Sequence, residues 1–288
     1  MKPIKAITEE KLILTGYLFE ANTKKCVIFI TGIASNIVED QFIYKLGKHF
    51  SENNINFICG HTQGSFQLQQ VEKTDGNFVT IGACYETFSQ GKIDITAWLD
   101  TAEKLGFKDI ILMGHSYGTC KIIDYLASSQ DKRVIAYNLL APLDVGELCK
   151  SIGPEVFKKA MEYIKNNTPD KLVQYEDYLP LSAKTYFGLL TDKTAKNIPA
   201  ISHDGSFESL RKINKPFGLI IGSEDPICEN KKEFFSAIIK GSKFKGKIYS
   251  KIIENANHMF KDKEYKLCST ALDMANSQFA DYNMSFEK

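Results

Sequence analysis

The clearest candidate for chemistry in this sequence is a serine held between two glycines. Ser116 lies between Gly114 and Gly118 in the pattern Gly-x-Ser-x-Gly. The apolar run at residues 110–113 predicts a buried strand before it, and the spacing of Ile122 and Leu126 predicts a helix after it. A tight strand-to-helix corner exposes the serine hydroxyl, and the glycines let neighbouring elements approach closely. We therefore predict that Ser116 is a nucleophile.

A serine hydroxyl is a weak nucleophile at neutral pH, so it needs a base within hydrogen-bond reach. Of the five histidines, His258 is our candidate base, because it lies in a polar loop after the last predicted strand. His115 adjoins Ser116, and its side chain is expected to diverge from the hydroxyl. His61 follows a strand and could line a pocket, His49 is predicted on a helix, and His203 is a remote alternative.

The base needs an acid that fixes its tautomer. Asp225 directly follows the strand predicted at 217–221, and the proline after it favours an extended conformation at the loop tip. Asp144 occupies the equivalent place one strand earlier and stays open as the alternative. Its other interpretation is that it caps the first helix of the following segment. We favour Asp225.

Acyl transfer also requires two backbone donors for the anionic intermediate. One is expected to be the N–H of Tyr117, the residue after the nucleophile. The other is expected in the loop after the strand at 26–30, where Gly32 permits close approach of the backbone and makes the Ile33 N–H the candidate. The competing interpretation is that Thr31 and Gly32 form only a turn.

These residues follow strands that alternate with helices along the chain. Apolar runs predict strands at 26–30, 55–59, 110–113, 134–140, 217–221 and 248–253, with a strand or hairpin at 11–20. This alternation predicts an α/β protein with a mostly parallel, twisted sheet and helices on both faces, in which sites form at the carboxyl ends of the strands. Residues 66–91 are polar and punctuated by glycine, and we assign them no element.

The alternation stops between residues 146 and 199. Helical patterns cover 156–164 and 172–179, and four tyrosines fall in the same segment: Tyr163, Tyr175, Tyr178 and Tyr186. We interpret 146–199 as a helical cap inserted into a core formed by 1–145 and 200–288. Peripheral helices are the alternative. The tyrosines suit a pocket for an aromatic group or one of mixed polarity, although packing is their commoner role.

The composition argues against several classes of partner. The formal net charge is +1, and the only arginines are Arg133 and Arg211, so we expect no nucleic-acid binding. No stretch approaches the roughly 20 apolar residues of a membrane span. No apolar signal-peptide core follows the N-terminus. We therefore expect a soluble cytoplasmic protein whose partner is a small-molecule acyl substrate; the oligomeric state is open, with a homodimer as one option.

The seven cysteines predict neither a disulfide framework nor a metal site. Their number is odd, and no Cys-x-x-Cys spacing occurs. Several lie in apolar runs, where a free cysteine behaves as a small hydrophobic residue. We expect no metal and no cofactor.

The motifs together resemble the serine hydrolases of the α/β-hydrolase superfamily over nearly the whole chain. The resemblance rests on Thr31-Gly32-Ile33, Gly114-His115-Ser116-Tyr117-Gly118, Gly222-Ser223-Glu224-Asp225-Pro226 and Asn257-His258-Met259-Phe260. The chain order Ser116, Asp225, His258 matches that of α/β-hydrolases. Within the superfamily the chain looks most like small intracellular esterases of the feruloyl- or cinnamoyl-esterase type. Many relatives have His-Gly in place of Thr31-Gly32, a change that keeps the backbone donor.

The resemblance implies the α/β-hydrolase fold and a cofactor-free hydrolysis of carboxylic esters through an acyl-enzyme. A thioesterase, an amidase or an acyltransferase would use the same three residues. A non-catalytic binding protein on the same scaffold is a further hypothesis, since a fold alone does not assign function.

Overall fold

The fold is built around an eight-stranded sheet, seen in a computed structural model that describes residues 1–175, 179–191, 207–228, 230–242 and 244–284. Its strands are β1 (Lys2–Ile7), β2 (Ile13–Phe19), β3 (Lys25–Ile30), β4 (Asn56–Gly60), β7 (Asp109–His115), β8 (Val134–Leu140), β11 (Phe217–Gly222) and β12 (Ile248–Ile253). Their order across the sheet is β1-β2-β4-β3-β7-β8-β11-β12.

The sheet is mostly parallel, as predicted from the sequence. Strands β4, β3, β7, β8, β11 and β12 pair in parallel, whereas β1 with β2 and β2 with β4 pair in antiparallel fashion. The central strands β8 and β11 are buried along their whole length, and β3 and β7 are buried except at their first residue. Burial on both faces explains why these strands are continuous apolar runs rather than alternating ones.

Helices cover both faces of this sheet. The larger helices are α1 (Gln41–Glu52), α2 (Gln90–Lys104), α3 (Tyr117–Ser129), α8 (Lys231–Ser242) and α9 (Glu264–Met284); a short α7 (Glu208–Arg211) precedes β11. Apolar residues of α1 and α9 pack in one hydrophobic cluster, and those of α2, α3 and α8 pack in another. Two clusters separated by a buried sheet make a three-layer α/β architecture.

The segment between β8 and β11 carries a small hydrophobic cluster of its own. It contains α4 (Val145–Ile152), α5 (Pro154–Lys165), the two-residue strands β9 (Leu172–Val173) and β10 (Leu181–Ser182), and α6 (Ala183–Thr191). The helix predicted at 156–164 corresponds to α5. The helix predicted at 172–179 is wrong where the structure describes it, because Leu172 and Val173 instead pair with Ser182 and Leu181. The predicted boundary at 199 and Tyr178 lie outside the described residues.

Residues 66–91, unassigned from the sequence, include a β-hairpin. Strands β5 (Gln69–Glu72) and β6 (Phe78–Ile81) pair in antiparallel fashion. The side chain of Phe78 is 67 % exposed, so the hairpin has too little burial to give a clear hydrophobic pattern.

All seven cysteines are free. Within the described ranges, no helix combines the length and hydrophobicity needed to cross a bilayer.

Candidate functional site

The corner between β7 and α3 holds Ser116 in a strained backbone conformation. Ser116 has φ 52° and ψ −124°, a region that a residue with a side chain rarely occupies. A Cβ on Gly118 would lie 2.3 Å from the Ile30 carbonyl oxygen, and one on Gly114 would lie 2.8 Å from the Gly118 carbonyl carbon. Both flanking glycines are therefore required by close backbone packing, which is the geometry of a nucleophile elbow.

His258 and Asp225 form a hydrogen-bonded pair at the ends of β12 and β11. His258 Nδ1 lies 2.8 Å from Asp225 Oδ2, and Asp225 is only 1 % exposed. The other carboxylate oxygen accepts the Ile227 N–H at 2.9 Å. Because a carboxylate accepts, Nδ1 of His258 carries a proton, and in the neutral form of the ring Nε2 has the lone pair.

The electrostatics of this pair favour an ionised Asp225. Burial by itself raises the pKa of the Asp225 carboxyl, but the hydrogen bond and charge of His258 and the Ile227 N–H outweigh it, and the pKa lies below its usual value. An ionised Asp225 can hold the His258 ring in one tautomer and stabilise a positive charge on it.

Ser116 and His258 line the same cavity, whose volume is about 1010 Å³. Among the described residues, the Ser116 hydroxyl forms no hydrogen bond with His258. Catalytic hydrogen bonds are often long in unliganded enzymes and shorten when substrate binds. The structure thus brings the predicted serine, histidine and aspartate to one edge of the sheet and joins the latter two directly.

The loop after β3 lies directly against the serine. A Cβ on Gly32 would lie 3.2 Å from Ser116 Cβ and 3.2 Å from the His115 carbonyl oxygen. Ile33 follows Gly32 and lines the cavity, and within the described part of the chain its N–H makes no backbone hydrogen bond. Tyr117 is the first residue of α3, so its N–H lies at the positive end of a helix.

Asp144, the alternative acid, lines the same cavity but lies at the start of α4. It is 5 % exposed, and its carbonyl oxygen accepts the Leu148 N–H at 3.0 Å within the first turn of that helix. The contact with His258 Nδ1 is made by Asp225. The geometry therefore favours Asp225 as the partner of the imidazole.

His115 makes a contact that the sequence did not indicate. Its ring is 1 % exposed and packs against the rings of Phe42 and His258, with centroids 4.9 Å and 4.8 Å away. His115 Nε2 lies 2.8 Å from the His258 carbonyl oxygen. Burial, with a contribution from His258, lowers the pKa of His115 to about 3, so the ring is neutral and Nε2–H is the donor. This bond helps to fix the His258 loop.

His61 and His49 have structural surroundings. His61 is buried beside Tyr17 and Phe66, its Nε2 accepts the Ile37 N–H at 3.3 Å, and burial lowers its pKa to about 4. It is not among the described residues that line the large cavity. The ring of His49, on α1, lies edge-on to Tyr265. His203 lies outside the described residues.

A buried ion pair behind the elbow was also missed. The Lys121 ammonium, on α3, lies 2.6 Å from a Glu86 carboxylate oxygen and 3.1 Å from the Thr62 hydroxyl, with the Lys121 side chain fully buried. The only signal in the sequence was a lysine between Cys120 and Ile122, next to apolar positions of the predicted helix. The pair anchors α3, the helix that begins directly after Ser116. The described residues contain no group of three or more His, Cys, Asp or Glu arranged to hold a metal ion.

Solved structures with this architecture match nearly the whole chain. Est1E from Butyrivibrio proteoclasticus with ferulic acid bound matches 96 % of this chain and 99 % of its own, with a TM-score of 0.71 and 17 % identity. Alpha/beta hydrolase domain-containing protein 10 from mouse matches 96 % of this chain and 99 % of its own, with a TM-score of 0.65 and 15 % identity. A monoacylglycerol lipase from Paleococcus ferrophilus matches 92 % of this chain and 99 % of its own, with a TM-score of 0.58 and 16 % identity. At such identities the likeness shows the fold, which is that of the α/β-hydrolases.

No curated protein matches the sequence. The family model described as "Protein of unknown function (DUF1749)" matches residues 5–275, nearly the whole length. The chain therefore belongs to the DUF1749 family and has the α/β-hydrolase fold.

Proposed function

We propose that this protein is a serine hydrolase that cleaves carboxylic esters through an acyl-enzyme intermediate. The observation that carries the proposal is the His258–Asp225 hydrogen bond of 2.8 Å beside a cavity that also holds Ser116 at a strained corner. A nucleophile, a base with a free lone pair and a buried acid that orients the base are the parts that serine-mediated acyl transfer needs. The ferulic-acid-bound Est1E and the monoacylglycerol lipase among the structural relatives are consistent with it.

In the proposed reaction, His258 Nε2 takes the Ser116 proton as Oγ bonds to the ester carbonyl carbon. The carbonyl oxygen becomes an oxyanion, which the N–H groups of Ile33 and Tyr117 stabilise. When the intermediate collapses, the carbon–oxygen bond to the alcohol breaks and His258 returns the proton to the departing alcohol. Water then attacks the acyl-Ser116 by the same route and releases the acid. No cofactor enters these steps.

The acyl group is proposed to lie under the cap, residues 146–199. Ile152, Leu181 and Leu189 come from this segment and line the cavity. Two of its tyrosines also line it: Tyr175, whose hydroxyl donates to the Ser151 carbonyl at 2.6 Å, and Tyr186. Tyrosines with an apolar body and an anchored hydroxyl suit an aromatic or mixed-polarity acyl group.

The test is hydrolysis of short p-nitrophenyl esters by the wild-type protein and by Ser116→Ala. Loss of the attacking oxygen is expected to reduce kcat/KM by at least about a thousandfold, because the remaining machinery has nothing to activate. Ser151→Ala, a serine that lines the same cavity, is the matched control and is expected to stay within about fivefold of wild type. Wild-type rates in Ser116→Ala would remove the proposal.

A further inference from the structure

The charged side chains that face the cavity are all acidic. Glu39, Asp40, Asp144 and Glu233 line it, whereas the described lining residues include no lysine or arginine. Asp144 is buried, Asp40 is half-buried, and Glu39 and Glu233 are exposed at the rim. The cavity therefore presents negative charge from its interior to its mouth.

Neutral groups, not cations, hold three of these carboxylates. Asp40 accepts the Ser35 hydroxyl in a very short contact and the Asn36 N–H at 3.1 Å. The Glu39 carboxylate accepts the Asn36 side-chain amide at 2.8 Å. Hydrogen bonds from neutral donors stabilise a carboxylate without cancelling its charge, so the negative field persists in the cavity.

Glu233, the other carboxylate at the rim, is also held by a neutral donor. Glu233 accepts the Asn230 side-chain amide at 2.8 Å. One cation lies close by, since Lys231 acts electrostatically on the Cys228 thiol in the cavity wall. Counted against Glu39, Asp40 and Glu233, this one lysine leaves two negative charges in excess.

Much of the rest of the wall is apolar. Buried contributors include Ile152, Leu181, Leu189 and Phe234. Charges act over longer distances beside such low-dielectric walls than they do in water, so the carboxylates affect a substrate even without touching it.

We propose that the site takes neutral or cationic esters with an apolar acyl chain and discriminates against substrates that carry negative charge. Excluded substrates include acyl chains that end in a carboxylate and thioesters of coenzyme A, whose phosphates would face the acidic rim. This inference rests on the proposed esterase function and narrows it to a substrate class.

The test compares esters of one chromogenic alcohol whose acyl chains have equal length and end in a methyl, a carboxylate or a trimethylammonium group. We expect kcat/KM for the carboxylate ester to be at least tenfold below that of the methyl ester, and the trimethylammonium ester to equal or exceed the methyl ester. The gap is expected to narrow in 0.5 M NaCl, since salt screens partly exposed charges. A second pair, an N-acetylcysteamine thioester and the coenzyme A thioester of the same acid, is expected to show the same preference for the uncharged member.

The double variant Glu39→Gln/Glu233→Gln tests whether the rim carboxylates cause the discrimination against the carboxylate ester. Both side chains are exposed, and the double variant is expected to raise the relative kcat/KM of the carboxylate ester severalfold. Glu52→Gln, at the other end of α1 and also exposed, is the matched control and is expected to leave the ratio unchanged.

The outcomes separate this inference from the proposed function. Equal kcat/KM for the methyl and carboxylate esters in the wild-type protein, with Ser116→Ala inactive, overturns the charge selectivity and leaves the hydrolase intact. A charge preference that survives unchanged in the rim variant and in high salt also overturns it. If the folded protein hydrolyses none of the esters or thioesters, the proposed function fails and the selectivity fails with it.

Discussion

Replacing Asp225 with asparagine removes one negative charge from the site and changes its shape very little. Asp225 Oδ2 lies 2.8 Å from His258 Nδ1, and the carboxylate is shielded from water. In the proposed reaction, the His258 ring becomes positive while Ser116 attacks, with its charge centre about 4 Å from the carboxylate. At an effective dielectric of about 20, two such charges attract by roughly 4 kcal/mol. At about 1.4 kcal/mol per tenfold change in rate, the loss is about a thousandfold.

The assay is the steady-state hydrolysis of a short p-nitrophenyl ester at pH 7.5. We expect Asp225→Asn to lower kcat by about 10³ and to change KM little, since the charge matters most when the imidazole is protonated. Asp144→Asn is the matched control, because Asp144 lines the same cavity and lies at the start of α4. Its kcat is expected to stay within about tenfold of wild type. Circular dichroism on both variants checks that they are folded.

The reverse pattern would refute this reasoning. If Asp144→Asn lost three orders of magnitude and Asp225→Asn kept more than a tenth of the wild-type kcat, the acid would be Asp144. The hydrogen bond between Asp225 and His258 would then have a structural role only.

Three further predictions concern stability. Gly118→Ala places a Cβ against a backbone carbonyl and is expected to lower the free energy of unfolding by about 1–3 kcal/mol or more. The control, Gly188→Ala in α6, places its Cβ in open space and is expected to be neutral or stabilising. Urea titration of the two variants measures the difference. Lys121→Met leaves the buried Glu86 charge unpaired and is expected to lower the free energy of unfolding by about 3–5 kcal/mol. The double variant Lys121→Met/Glu86→Gln is expected to recover at least half of this loss. A double variant no more stable than Lys121→Met would argue against the ion pair. The pKa of His61 is 6.5 in the unfolded chain but about 4 in the folded protein, so below pH 6.5 the unfolded chain binds a proton that the folded protein does not. The free energy of unfolding is therefore expected to fall by up to about 1.4 kcal/mol per pH unit between pH 6.5 and pH 4. His61→Gln is expected to flatten this slope, and parallel pH profiles of stability for the variant and the wild type would contradict the reasoning.

The site was predictable from the sequence where its geometry is local. The strand, corner and helix around Ser116 follow one another within 21 residues, so the apolar pattern and the two glycines carry the whole signal. Likewise Asp225 follows β11 and His258 follows β12, and these parallel strands bring their carboxyl ends to one edge of the sheet.

The choice between Asp225 and Asp144 depends on packing that the sequence does not encode locally. Both residues follow a buried strand, and only the path of each loop decides which carboxylate reaches His258. The same limit applies to Lys121, whose partner Glu86 is 35 residues away, and to His115, whose partner is the backbone of His258. Contacts of this kind are set by tertiary structure, and periodicity gives no access to them.

The errors in the fold have a similar origin. Leu172, Tyr175 and Leu179 have helical spacing, but the pairing of β9 with β10 overrides it. Strand β1 was not predicted, because it is exposed at four of its six positions and has only one buried residue, Ala6. The hairpin that contains Phe78 was unassigned for the same reason, since patterns of hydrophobicity report burial and this hairpin has little.

The central claim is that Ser116 is a nucleophile activated by His258. The most direct measurement is labelling of the folded protein with a fluorophosphonate probe, followed by mass spectrometry to locate the adduct. We predict one adduct per chain, on Ser116, and at least a hundredfold slower labelling in His258→Ala. An unlabelled Ser116 in well-folded protein, or an equal labelling rate in His258→Ala, would contradict the claim.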